Sequence, residues 1–145
     1  MLYFDTSFLV PLVLPEATSD GIAAFIRALD IERLAVSHWT RVEFSSLVAR
    51  EVRTGGLDAR AAAQADARFE VLVNDSFAVL LPDADDFNLA RQYLLKFETR
   101  LRAGDAFHLA IASNRRAGTI YSLDKALLKA GTTLGLPVSM GIQTE

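Results

Sequence analysis

The chain has no cysteine. That excludes a disulfide framework, a thiolate zinc site, an iron–sulfur cluster and a cysteine nucleophile together, so any metal must be held by oxygen or by the two histidines, His38 and His108. Long apolar runs are also missing. The longest early one, Phe8 to Leu14, is interrupted by Pro11, follows Asp5 and has no Lys or Arg ahead of it. This fits neither a signal peptide nor a membrane span of about 20 apolar residues. A cytoplasmic protein without membrane contact is the expectation. Lysine is scarce, 3 against 12 arginines. The excess suits bidentate phosphate contacts, although a compositional bias of the genome gives the same ratio. Repeats, linkers and biased segments are lacking too, and the alanines of 61–67 are ordinary helix composition.

What is present is apolar material. At 51% hydrophobic and 23% charged residues over a length of 145, the chain can bury a sizeable core. Its length suits a single domain over 1–145 with one active site. The net charge of −3 argues mildly against binding nucleic acid by bulk charge alone. The distribution says more: residues 1–32 carry five acids against Arg27, whereas residues 91–116 carry six cations against Glu98 and Asp105.

Short apolar runs alternate with helical stretches. Met1–Phe4, Leu34–Ser37, Ala78–Leu81 and Thr119–Leu123 read as strands, with a last strand near Leu136–Val138. A helix is expected after Asp5-Thr6-Ser7, and others over 18–30, 39–54, 58–75, 83–98, 104–116 and 124–130, punctuated by Gly55-Gly56, Gly104, Gly118 and Gly131. Strands without a period-2 polar face are covered on both sides. The fold expected is therefore α/β: a three-layer α/β/α sandwich with a mostly parallel sheet of four or five strands.

In such sheets reactive groups collect beyond the carboxyl ends of the strands. Asp5 ends the first strand, Glu43 lies early in the helix after the second, Asp105 opens the helix from 104, and Asp124 follows the fourth strand. Singly, Asp5, Asp105 and Asp124 can each be helix caps. Four acids at one edge repel one another unless a cation neutralises them. At about 100° per residue Glu43 falls between Trp39 and Leu47, in an apolar sector where an acid needs a partner. Hard oxygen ligands on separate elements suit Mg²⁺ or Mn²⁺. The four carboxyl groups are expected to converge in one metal-binding cluster. Thr6 is a supporting candidate, as a cap or as a hydroxyl orienting the acids. His38 and His108 are read as structural, with a bond from His108 to Asp105 open because the two lie three residues apart on one helix. Trp39 is read as a core or interface residue.

The set Asp5-Thr6-Ser7, Glu43 within Thr40-Arg41-Val42-Glu43, Asp105 within Gly104-Asp105-Ala106-Phe107-His108-Leu109-Ala110, and Asp124 within Ser122-Leu123-Asp124 resembles the four-acid signature of PIN-domain nucleases. It is most similar to the VapC-like ribonuclease toxins of toxin–antitoxin pairs, over essentially the whole chain. Ser122 stands where that family usually has threonine; a hydroxyl is kept, and Ser122 joins Thr6 as a supporting residue. The resemblance implies Asp5, Glu43, Asp105 and Asp124 as catalytic and metal-binding residues. It also implies an RNA substrate hydrolysed to leave a 3′-hydroxyl, and a cognate antitoxin partner in a homodimer or higher complex.

An antitoxin segment would place an Arg or Lys among the acids. Phe8, Leu12, Ile22 and Phe25 are candidates for the apolar groove holding the rest of it, and the Arg-rich region 91–116 is the surface expected to meet RNA phosphates. Two other readings stay open. One is a phospho-acceptor signalling domain, for which Lys125 would serve but no acid pair precedes Asp5. The other is a PIN module that processes RNA without being a toxin, or is catalytically inactive.

Overall fold

The computed structural model describes residues 1–143. Its centre is β1 (Leu2–Phe4), whose three apolar residues are all buried because the strand is covered on both faces. β2 (Leu34–Ser37) pairs with it on one side and β4 (Thr119–Tyr121) on the other. β3 (Ala78–Leu80) and β5 (Val138–Ser139) complete a five-stranded sheet of order β3-β2-β1-β4-β5, with every pairing parallel. The chain builds outward from β1 to β3, then returns to the opposite side of β1 for β4. This reversal puts a switch point between the carboxyl ends of β1 and β4, where side chains and loops diverge to leave a crevice.

Alternation along β1 sorts the core. Leu2 and Phe4 face one side, with Phe8, Ile22, Phe44, Val48, Phe69 and Val73. Those side chains come from α1 (Thr6–Leu9), α2 (Ser19–Arg27), α3 (His38–Thr54) and α4 (Ala59–Ser76). Tyr3 faces the other side, with Ala90, Tyr93, Leu109, Ile111, Ile120 and Leu127. Those flank it from α5 (Ala84–Leu94), α6 (Ala103–Asn114), β4 and α7 (Lys125–Thr133). From Ala106 to Ala112 every residue of α6 is buried, as expected of a helix with little polar surface on any face.

The three layers and the parallel sheet agree with the sequence reading, and some boundaries do not. The expected helix over 83–98 stops at Leu94, and a single 3₁₀ turn, Phe97–Thr99, follows. Leu95 and Phe97 had extended the apolar period, yet they are 63% and 77% exposed, so no core contact holds the helix together there. The helix after Asp5 is one turn long and passes into a 3₁₀ turn, Val10–Leu12, whose Pro11 lacks the N–H needed to continue an α-helix. The last strand lies at Val138–Ser139 rather than 136–138. Leu136 N–H still bonds back to Gly131 O, after Gly135 has turned the chain at positive φ. The apolar groove expected from Phe8, Leu12, Ile22 and Phe25 is not open: Phe8 and Ile22 are wholly buried in the core, and Phe25 packs edge-on against Phe8. Among the described residues no helix is long and apolar enough to cross a membrane.

Candidate active site

Asp5 follows β1 directly and caps α1, its Oδ1 accepting from Phe8 N–H at 3.2 Å. Two serines secure the rest of the carboxylate. Ser7 donates to Oδ1 at 2.8 Å and Ser122 to Oδ2 at 2.9 Å. Each serine oxygen in turn accepts a backbone N–H from the loop after β4, Ser7 from Leu123 and Ser122 from Asp124, both at 3.0 Å. The crevice between β1 and β4 is thus laced together through Asp5. Burial at 3% exposure raises its pKa to about 6, against the opposing influence of His108 and of these hydrogen bonds.

Glu43 points from α3 toward the same place. The partner its apolar sector demanded is His108, whose Nε2 is paired with Glu43 Oε1, and Thr6 Oγ1 donates to that oxygen at 2.5 Å. Tyr3 O–H donates to Ser37 Oγ at 3.0 Å, which leaves the phenol oxygen to accept from His108 Nδ1 at 2.8 Å. With both ring nitrogens donating, His108 is an imidazolium. Burial opposes that charge, but the Tyr3 phenol, Glu43 and Asp5 raise its pKa to about 10. Burial likewise pushes Glu43 up, and His108 and Thr6 more than offset it, holding the carboxyl below its ordinary value. Ser37 also caps α3, the helix that carries Glu43, so the bonds close a ring through the sheet that orients this acid. His108 is structural, as the sequence suggested, but its bond is to Glu43 rather than Asp105.

Asp105, in the first turn of α6, accepts no hydrogen bond and forms no ion pair among the described residues. Burial raises its pKa, and Asp124 and Glu43 raise it further, His108 and Arg102 opposing. Asp124 caps α7, with Oδ1 accepting from Ala126 N–H at 2.8 Å and Leu127 N–H at 3.3 Å. All four acids line a single cleft of about 620 Å³, together with Thr6, Ser7, Trp39, Arg50 and Arg53. They share the cleft without standing as a finished cage: among the described residues no three Asp, Glu or His side chains are already spaced to hold a metal ion. Trp39 packs edge-on against Phe107 at 5.7 Å, and its indole N–H is buried without an acceptor. A Cβ added at Gly104 would fall 2.8 Å from Glu43 Oε2 and 3.4 Å from the Trp39 ring. Only a residue without a side chain fits there undisturbed.

The sequence reading picked out all four acids and the two hydroxyls, Thr6 and Ser122, that bond to them. It missed the Tyr3–His108–Ser37 chain, whose members are far apart in sequence and show no shared motif. Arg50 and Arg53 were missed as well, although they recur on the face of α3 that carries Glu43. Of the charged residues in 91–116, the cleft takes only Asp105. Arg115 is committed to Asp86, so the Arg-rich region is not the cleft's basic wall.

The PIN domain family model matches residues 2–132, and the chain belongs to that family. No curated protein matches it. Among solved structures, FitAcB from Neisseria gonorrhoeae superposes with a TM-score of 0.75 at 20% identity, over 97% of this chain and 98% of that one. VapC20 of Mycobacterium tuberculosis, a toxin that cleaves the sarcin-ricin loop, does so with a TM-score of 0.69 at 22% identity, over 90% and 95%. VapBC2 from Rickettsia felis, bound to a DNA fragment from their promoter, gives 0.65 at 12% identity, over 96% and 98%. At these identities the likeness is one of fold.

Proposed function

We propose that the chain is a divalent-metal-dependent endoribonuclease acting as the toxin of a toxin–antitoxin pair. The observation that carries the reading is the state of Asp105, a half-buried carboxylate crowded by Asp124 and Glu43 with no donor or cation to neutralise it. Its environment is unfavourable for the protein alone and favourable for a bound cation. Asp5, Asp105, Asp124 and Glu43 supply only oxygen, the donor set of Mg²⁺ or Mn²⁺, so they fit such an ion in chemistry and charge. When bound, the ion supplies positive charge against the phosphate oxygens and the oxygen that leaves. The chain's own work is positioning. The Ser7 and Ser122 hydroxyls and the His108 imidazolium hold Asp5 and Glu43 in place, while Asp105 and the second oxygen of Asp124 remain free to engage a ligand.

PIN family membership argues against the phospho-acceptor alternative. The VapC20 toxin and the VapBC2 assembly share this fold, which supports an RNA substrate and an antitoxin partner whose basic side chain competes for the same oxygens. The test is cleavage of labelled RNA by the purified chain in Mg²⁺, in Mn²⁺ and in chelator, with the upstream gene product co-expressed in a parallel preparation. Cleavage that needs the metal and is blocked in a complex with that product supports the reading. Cleavage undiminished by chelator overturns the metal dependence, and cleavage undiminished in the complex overturns the toxin role.

A further inference from the structure

The cleft has a basic end that the four acids do not explain. From Glu43, α3 continues through Ser46 and Leu47 to Arg50 and Arg53, and all of these line the same cleft. At 3.6 residues per turn Arg50 returns to within about 20° of the direction of Glu43, about 10 Å further along the axis, and Arg53 lies about 15 Å along. Both are exposed, and among the described residues neither guanidinium has a hydrogen-bond or ion-pair partner. Other arginines of the fold are engaged: Arg41 is bidentate on Glu70, and Arg115 is held by Asp86 and the Leu81 carbonyl. Two unpaired cations at one end of a continuous cleft, with four acids at the other, form a site for a ligand carrying negative charge at several points along its length.

We infer that Arg50 and Arg53 bind the phosphates flanking the scissile one, so that a single RNA strand runs along α3 from the acids toward Arg53. This rests on the nuclease reading for what occupies the acids. A strand of phosphates supplies anions at repeated spacing, one for the cation held by the acids and others for the arginines. A protein segment would instead need basic groups at one end and acidic groups at the other. Arginine suits the role, because its planar fork takes two phosphate oxygens at once. Such contacts set register and orientation and carry no base preference.

The test measures binding of a short, unstructured, fluorescein-labelled RNA by anisotropy across a salt series, in an Asp5→Asn background with the RNA checked for integrity. Cleavage by the Asp5 chain is assayed alongside. Arg50→Ala with Arg53→Ala should weaken binding roughly tenfold and flatten the slope of log affinity against log salt by about 1.4, or about 0.7 for each phosphate released on single strands. The Lys counterparts should restore the slope, since a merely structural role gives no reason for rescue by charge. Both residues are exposed, so the variants should melt with the parent. An unchanged slope and affinity in the double Ala variant overturns the inference, whether or not the chain cleaves RNA. The same holds if that variant binds RNA normally but loses its protein partner. Arg-dependent binding without cleavage supports this inference and overturns the nuclease reading. A chain that neither binds nor cleaves RNA overturns both.

Discussion

Asp5 and Glu43 stand at the cleft with their charges answered by the protein. Asp5 accepts two hydroxyls and a backbone N–H, and Glu43 accepts a hydroxyl and pairs with an imidazolium. Across from them Asp105 accepts nothing and Asp124 uses one oxygen as a helix cap. Acids of the same type at one edge of one sheet thus differ in what they cost the fold. One pair is built in, fixed by donors from β1, β4 and α6, and gives the site its geometry. The other pair is left short of partners, and that deficit is what makes the cleft a receptor for a cation. A site with every acid satisfied would be more stable and would bind metal less well.

The largest effect should come from the unsatisfied side. Asp105→Asn removes a charge crowded by Asp124 and Glu43 and should lower RNA cleavage in Mg²⁺ by about 10²–10³-fold or more. It should also raise the melting temperature in chelator, because repulsion is relieved. The sign follows from the raised pKa: the folded protein holds a proton on Asp105 more tightly than the unfolded chain, so this carboxyl costs stability as pH rises above its ordinary 3.8. The gain from Asp105→Asn should accordingly be present at pH 7 and fade toward pH 4. Parental cleavage, or a variant that melts lower at pH 7, would remove the contrast between the two pairs.

On the satisfied side the order of effects reverses, with stability falling first. His108→Gln takes the cation away from a carboxylate that is 27% exposed and leaves the Tyr3 phenol short of a donor. We expect a loss of about 2–3 kcal/mol in chemical denaturation, below the usual figure for breaking a buried pair because water reaches Glu43. Activity should drop as well, through a misplaced Glu43. If His108→Gln unfolded at the parental denaturant midpoint, the ring through Tyr3 and Ser37 would have no role in holding Glu43.

How far the sequence discloses this asymmetry depends on the residue. Asp5, Asp105 and Asp124 were legible because a parallel strand ends, or a helix begins, at each, and Glu43 because an acid in an apolar helical sector requires a partner. Their partners were not legible. His108 reaches Glu43 across 65 positions and Tyr3 across 105, and only the packing of α6 on the sheet brings them together. Arg50 and Arg53 escaped for a related reason. Counting charge by segment drew attention to 91–116, while the cleft selects charge by helix face. The break after Leu94 was hidden because Leu95 and Phe97 continue an apolar period without facing the core.

Asp86 sharpens the contrast from outside the cleft. It is wholly buried, yet it receives Arg115, Asn114 Nδ2 at 2.8 Å and Asp83 N–H at 2.9 Å. Burial pushes its carboxyl up, but these donors outweigh it and hold the pKa below 3.8. Here the unfolded chain takes up the proton first, so the stabilisation is present above the ordinary value and is lost as pH falls through the folded one. Asp86→Asn should cost about 1–2 kcal/mol at pH 7, with the gap to the parent closing in melts near pH 3. This is the opposite slope from Asp105→Asn, with no change in cleavage per folded molecule. Parallel pH profiles for the two variants would show that the acids do not differ as described.

The smallest effect should come at Gly104, where the two sides of the cleft touch. Its added Cβ would meet Glu43 Oε2 at 2.8 Å, and that oxygen is the free end of a side chain anchored through Oε1. Gly104→Ala can therefore be accommodated by turning the carboxylate, and the stiffer backbone of alanine offsets part of the strain, so stability should change by less than about 1 kcal/mol. Cleavage has no such relief. The displaced Oε2 is the Glu43 oxygen left free by Thr6 and His108, and its misplacement should lower kcat about tenfold, well under the cost of a full 1 Å error at a reacting group. A normal melt with reduced cleavage would show that Glu43 acts through its unbonded oxygen. Normal cleavage would show instead that Glu43 serves only to pair His108, and that ligand binding falls to Asp5, Asp105 and Asp124.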